Sequence, residues 1–269
     1  MVDEIVVIRS GGEIGSAVAH KLHRCGFKVL ILETPAPAFI RSEISFGKAV
    51  YEGEAVVEEI TAVKINTIDE INSSWEKNVI PILIDPDCDV VHRVKPSALV
   101  DSTLVKRNIG TNKGMAPITI ALGPGYEASV DVDVVIETNR GHNLGRLIFE
   151  GFSENNTSIP GSIMGYTEER VIRAPIRGKV KNLLVIGDTV KKGQIICCVE
   201  DQEVKAQIDG VLRGIIRDGF FVQKGLKIGD IDPRNHKEYC FTISDKGRAI
   251  AGAVLEAILY LHLQRRQKD

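Results

Sequence analysis

Short apolar runs alternate with amphipathic stretches along the first 150 residues. Residues 4–8 form an apolar β run. Residues 13–25 follow with Ile14, Val18 and Leu22 on one helical face, and Gly26 stops that helix. Residues 28–32 predict a second strand, ending in Glu33. Residues 45–52 predict a short helix and 60–65 a strand. A helix is predicted over 67–77, with Thr67 as its cap and Glu70 at the capping-box position. Residues 79–84, 98–100, 118–122 and 132–136 read as buried strands. They end in Asp85, Asp101, Gly123-Pro-Gly125 and Glu137. This alternation predicts a Rossmann-like α/β domain with a parallel sheet over 1–150. Acids and glycines fall at its strand C-termini, the edge where such sheets bind ligands.

The pattern changes after residue 150. Residues 151–170 are a Gly-, Ser-, Asn- and Pro-containing connector that includes Ile159-Pro-Gly161. Residues 171–232 hold one motif written twice, 32 positions apart. Ala174-Pro-Ile-Arg-Gly178 is answered by Ala206-Gln-Ile-Asp-Gly210, and Gly187 and Gly193 by Gly219 and Gly225. Ile196 and Val199 are answered by Ile228 and Ile231. Two small β units of this kind bury their apolar faces only against each other. With Gly187-Asp-Thr-Val-Lys-Lys-Gly193 as its most specific phrase, the stretch resembles the biotinyl/lipoyl-type barrel-sandwich hybrid. The hairpin between its halves is acidic, and Lys205 comes too late for a swinging position, so no biotin or lipoate attachment is expected. Residues 233–269 are predicted to carry a loop and then a long helix capped by Ser244. Ala249, Ala251, Gly252 and Ala253 suit close packing back on the α/β domain. The fold class expected is therefore α/β: a Rossmann-like sheet domain, an all-β module and a C-terminal helix.

Composition narrows the classes. The chain has 269 residues, is 43% hydrophobic and has a net charge of −2, so no bulk basic field argues for nucleic acid. The amino terminus lacks a basic n-region. The longest apolar stretch, 250–263, is interrupted by Glu256 and His262 and is too short to span a bilayer. Five cysteines without metal-ligand spacing read as reduced thiols in a cytoplasmic protein, and no metal site is assigned.

Three places carry candidate chemistry. The first is the turn Ser10, Gly11, Gly12 and Gly15, with Glu33 about 20 residues on. Ser10 stands where the first glycine of a dinucleotide fingerprint belongs, and Gly12 and Gly15 match the second and third. Backbone at Gly12 and the helix N-terminus favour a phosphate, and Glu33 could accept from a ribose hydroxyl. The alternative is a turn that only closes a βαβ unit. The second place holds Asp101 and Lys106, either catalytic candidates or a solvated helix start. The third is the loop after residue 136, where Arg140, His142 and Arg146 lie among glycines. They suit an anion and a proton transfer, unless the arginines face water and pair with surface acids. Gly123 and Gly125 join the cofactor-binding candidates.

In order, these pieces resemble one family. Ser10-Gly-Gly-Glu-Ile-Gly15, Lys106-Arg-Asn-Ile-Gly-Thr111, Leu122-Gly-Pro-Gly125, Glu137-Thr-Asn-Arg-Gly-His-Asn-Leu-Gly-Arg146 and Cys240-Phe-Thr-Ile-Ser-Asp-Lys246 are similar to the YqeB-type accessory proteins of selenium-dependent molybdenum hydroxylase systems. The resemblance implies a cytoplasmic maturation role beside a molybdenum hydroxylase or its maturation machinery. A phosphorylated pterin (the molybdenum cofactor) or a nucleotide is then the expected ligand. Two alternatives are an NAD(P)-dependent oxidoreductase and a non-catalytic adaptor with a vestigial nucleotide fold. Neither catalysis nor a homo-oligomer is decided by the sequence.

Overall fold

The computed structural model describes residues 4–156 and 160–267. The amino-terminal residues 1–3 and Ile159 of the connector lie outside them. The chain divides into two compact units. One comprises Met1–Pro37, Ser45–Asn156 and Ile243–Asp269, the other Ala38–Ile44 and Thr157–Thr242.

The first unit is built on nine strands: β1 (Ile5–Arg9), β2 (Lys28–Glu33), β3 (Glu54–Val57), β4 (Ile60–Ile65), β5 (Ile80–Ile84), β6 (Ala98–Asp101), β7 (Ile118–Leu122), β8 (Val134–Ile136) and β9 (Leu147–Ile148). Their order is β3-β4-β5-β2-β1-β6-β7-β8-β9. Every neighbouring pair from β4 to β8 is parallel. The β3–β4 hairpin and the β8–β9 pair close the two edges antiparallel. Strands β1, β2, β5, β6 and β7 are buried nearly throughout, as a parallel sheet covered on both faces requires. The order reverses between β1 and β6, where Arg9 stands beside Asp101.

Helix α1 (Glu13–Arg24) follows β1. Glu13 in its first turn and Lys21 and Arg24 in its last complement the macrodipole, and Ile14, Val18 and Leu22 are buried. The short helices α2 (Ala49–Glu52), α3 (Glu70–Glu76) and α4 (Val91–Val94) come next. Helix α3 begins three residues later than the pattern predicted. The Glu70 carboxylate accepts the N–H groups of Asn66 and Thr67, the contact expected of the capping box, while the regular helix begins at Glu70 and Asp69 before it makes no side-chain cap bond. Helix α5 (Asp245–Arg266) starts as expected, with Ser244 Oγ accepting the Gly247 N–H at 3.2 Å. It lies along α1, where a Cβ on Gly247 would come within 3.1 Å of Ala17 Cβ. No helix among the described residues is long and apolar enough to cross a membrane.

The second unit contains β10 (Val171–Arg173), β11 (Gly178–Asn182), β12 (Thr189–Val190), β13 (Ile195–Val199), β14 (Gln202–Lys205), β15 (Gly210–Ile215), β16 (Phe221–Val222) and β17 (Lys227–Asp232). They form two antiparallel sheets, β10-β17-β15-β12 and β14-β13-β11-β16. The written repeat is visible here as an exchange. In sequence β11, β12 and β13 correspond to β15, β16 and β17. Yet β12 pairs with β15 and β16 pairs with β11, so each copy lends its middle strand to the other's sheet. Val180, Val190, Ile196, Leu212, Val222 and Ile228 share one core between the sheets. The two sheets do not join into a closed barrel among the described residues, and the glycine turn after β1 carries Ser10 in place of the first fingerprint glycine, as the sequence reading had it.

Candidate functional site

The glycine turn after β1 is a closed piece of structure. Ser10 has φ +82, the left-handed conformation that a glycine would adopt freely. It is held there by the Ser10 N–H to Leu32 O at 2.8 Å and by Ser102 Oγ donating to Ser10 O at 2.9 Å. Glu33 is buried beneath the turn. Its Oε2 accepts the Gly11 N–H at 2.7 Å and Ser10 Oγ at 3.3 Å, and its Oε1 accepts the Thr34 N–H at 2.8 Å. Burial pushes the Glu33 carboxyl above the usual range, and these N–H donors oppose that. Gly11 is glycine because its neighbour is backbone: a Cβ there would stand 2.7 Å from Gly47 N. At Gly15 a Cβ would fall 2.1 Å from Ser10 O. Both carboxylate oxygens of Glu33 are thus spent on the turn itself.

The reversal point between β1 and β6 is equally full. Asp101 Oδ2 accepts from Thr111 Oγ1 (2.6 Å), Tyr126 Oη (2.7 Å) and Arg9 Nη1 (3.5 Å). Its Oδ1 accepts from Thr103 Oγ1 (2.6 Å) and the Thr103 N–H (3.1 Å). Arg9 also donates to Pro86 O at 2.7 Å and Ile109 O at 3.2 Å. Burial and Asp101 both drive the Tyr126 hydroxyl upward, and burial holds the Cys88 thiol at about 12. Asp101 is therefore a structural hub. Lys106, its proposed companion, is exposed with φ +63. The Lys106–Arg107 backbone instead covers Gly125, where a Cβ would meet Arg107 N at 2.3 Å. Gly123 packs on Thr138 in the same way.

In the loop after β8, Arg140 grips Asp245 with two hydrogen bonds of 2.8 and 3.1 Å, and His142 and Arg146 are exposed. This is the alternative in which the arginine pairs with a surface acid. Glu137, buried at the end of β8, accepts the N–H groups of Asn139 (2.6 Å) and Glu154 (2.7 Å) and so shapes the loop. Burial, then Arg140, lowers the Lys246 ammonium nearby, while Glu13, Glu137 and Asp245 pull the other way.

The sequence reading missed a fourth place. His20, on α1, is 3% exposed, and its Nε2 has no hydrogen-bond partner. Two carboxylates face that nitrogen, Glu58 Oε2 and Glu59 Oε2, each 3.5 Å away. Both acids sit in the β3–β4 turn, where Glu58 has φ +52. Each is held from behind through its other oxygen. Glu58 Oε1 accepts Arg248 Nη2 at 2.6 Å and the Ile243 N–H at 3.0 Å, while Glu59 Oε1 pairs with Arg24 at 3.1 Å. The backbone N–H of Glu59, then His20 and Arg24, hold the Glu59 carboxyl below the usual range. These are the only three ligating side chains among the described residues whose donor atoms gather within 4.8 Å of one another. The signals in the sequence were a histidine inside the buried face of a helix and two adjacent acids in a tight turn, 38 residues apart.

No family model matches the chain. YqeB of Escherichia coli strain K12, a protein named as uncharacterized, is 46% identical over 258 residues, or 96% of this chain and 48% of the relative. The chain resembles YqeB over nearly its whole length. It spans about half the length of that relative. Among solved structures, the ectoine utilization protein EutE from Ruegeria pomeroyi matches at 10% identity over 85% of each chain, with a TM-score of 0.26. An aspartoacylase family protein from Mesorhizobium loti matches at 7% identity over 85% of each, with a TM-score of 0.27. A succinylglutamate desuccinylase/aspartoacylase from Rhodobacter sphaeroides matches at 12% identity over 84% of this chain and 51% of its own, with a TM-score of 0.22. TM-scores this low do not establish a shared fold.

The expected maturation role with a phosphorylated pterin or nucleotide is corrected here. In the chain itself Glu33, the acid expected to meet a ribose, accepts the N–H groups of Gly11 and Thr34. The cluster that is open to a ligand is instead a histidine with two glutamates.

Proposed function

We propose that the α/β unit is a metal-binding unit that holds a divalent transition metal between His20, Glu58 and Glu59. One observation carries this reading: a buried imidazole nitrogen without a hydrogen-bond partner faces two carboxylate oxygens at 3.5 Å. That spacing is too long for hydrogen bonds. It suits a shared ion, because bonds of about 2.0–2.2 Å place tetrahedral zinc ligands roughly 3.3–3.5 Å apart. The outer partners fit as well, since ligating carboxylates are commonly fixed by hydrogen bonds to their other oxygen, the part played by Arg248, Ile243 and Arg24. Nitrogen and carboxylate donors suit zinc and its neighbours in the first transition row. Three protein ligands leave one tetrahedral position for water or a substrate oxygen, the arrangement of catalytic rather than closed structural zinc sites.

The test is calorimetry with zinc chloride on chelator-treated protein. One equivalent is expected to bind, and His20→Ala should weaken it by at least tenfold, about 1.4 kcal/mol. Titrations with manganese, cobalt and nickel chlorides rank the ions. No binding of any of them, or equal zinc affinity in His20→Ala, would overturn the reading.

A further inference from the structure

Glu58 does two things at once, and the second reaches beyond the metal. It stands in the two-residue turn between β3 and β4 with φ +52, a conformation that costs a non-glycine residue free energy and persists where surrounding structure fixes it. What fixes its side chain is α5. Oε1 accepts Arg248 Nη2 and the Ile243 N–H, so this one oxygen holds the chain on both sides of the Ser244 cap. Oε2 points to His20, on α1. Three residues before His20, one turn back on the same side of α1, is Ala17, against which Gly247 of α5 packs. The first turn of α5 is thus held to α1 by direct packing and, separately, through Glu58 and His20. Ser244 Oγ, donating to Glu13 Oε1 at 3.2 Å, is a further polar tie between them.

Resting on the metal reading above, we infer that the centre is a latch for the start of α5: occupancy between His20, Glu58 and Glu59 fixes the Glu58 carboxylate and thereby residues 243–248. The physical reason is charge. Without an ion, Glu58 and Glu59 turn two carboxylates toward the same imidazole nitrogen, and like charges at this separation repel. Rotation of Glu58 away from Glu59 relieves that repulsion and releases Ile243 and Arg248. A divalent ion reverses the sign of the interaction and keeps Oε2 in place, so that Oε1 stays on the Ile243 amide. The Ile243 N–H is the reporter, because its acceptor belongs to a metal ligand.

The experiment is hydrogen–deuterium exchange on the full chain, with excess zinc chloride and with EDTA. In zinc, the peptide spanning 243–250 is expected to exchange at least fivefold more slowly, while a peptide from β13 to β15 in the other unit changes less than twofold. Glu58→Gln keeps an oxygen for Ile243 but loses the charged ligand, so zinc should no longer alter the 243–250 peptide. Zinc binding by calorimetry with unchanged exchange at 243–250 would sink the latch and leave the metal reading standing. Equal slowing in both peptides would also sink it, since that is global stabilisation. No zinc binding at all removes the metal reading, and the latch with it.

Discussion

Asp101 and Glu58 are both carboxylates in the α/β unit, each beside an arginine, and they differ in how completely they are satisfied. Asp101 is buried and collects five donors, and its partner Arg9 has further acceptors at Thr111, Pro86 and Ile109. Nothing is left over. Glu58 gives one oxygen to Arg248 and Ile243 and turns the other to an imidazole nitrogen that makes no hydrogen bond. A buried polar atom without a partner is costly, so a protein that keeps one invites a ligand, whereas a saturated network rigidifies the fold. By that criterion the sheet reversal point, where such folds often bind their ligands, is the structural cluster. The helix–hairpin contact is the proposed metal site.

Substitution breaks the comparison most sharply at Asp101. Asp101→Ala leaves the Arg9 guanidinium buried without its counter-ion and should cost about 3–5 kcal/mol in urea unfolding. Zinc affinity of the folded fraction should be unchanged. The counterpart is His20→Leu, measured in EDTA. It removes an unsatisfied nitrogen in favour of an apolar group and should shift stability by less than about 1 kcal/mol in either direction. A loss near that of Asp101→Ala would place His20 among the structural groups instead.

Smaller effects sharpen the picture at the rim. Arg140→Ala breaks an exposed ion pair with Asp245 and should lower stability by at most about 1 kcal/mol, decreasing with added salt. A larger, salt-independent loss would make that loop part of the core. The smallest effect belongs to Glu33, whose carboxyl is raised by burial. A raised folded value means that the folded state holds the proton more tightly. The contribution of Glu33 is then fully present below the ordinary value of 4.5 and is lost as pH rises through the folded value. Stability of wild type relative to Glu33→Gln should therefore fall as pH rises above 4.5. A difference that grows with pH would show that the N–H groups of Gly11 and Thr34 outweigh burial.

Local regularity made much of the architecture legible. The runs at 28–32, 60–65, 79–84 and 118–122 became β2, β4, β5 and β7 because an apolar run between turn residues has few other places to go. Ser244 was readable as a cap because its hydroxyl serves an amide three residues on. The 32-residue repeat foretold two matched sets of strands in the second unit. Strands β3 and β9 were missed: one alternates weakly beside two acids, and the other has two residues.

Tertiary structure alone decided which polar residues are spent and which are open. Glu33, Asp101 and Arg140 stand where chemistry is expected in such a sequence, and each proves committed to a neighbour: Gly11, the Arg9–Thr111–Tyr126 group and Asp245. His20, Glu58 and Glu59 are separated along the chain, and no period or spacing links a helix face to a hairpin turn. They meet because β4 pairs with β5 and β5 with β2, which sets the β3–β4 turn at a fixed place in the sheet that α1 covers. Periodicity reports what each residue does for its own element. Whether a buried donor or acceptor finds a partner depends on contacts between elements, and those exist only once the sheet order is set.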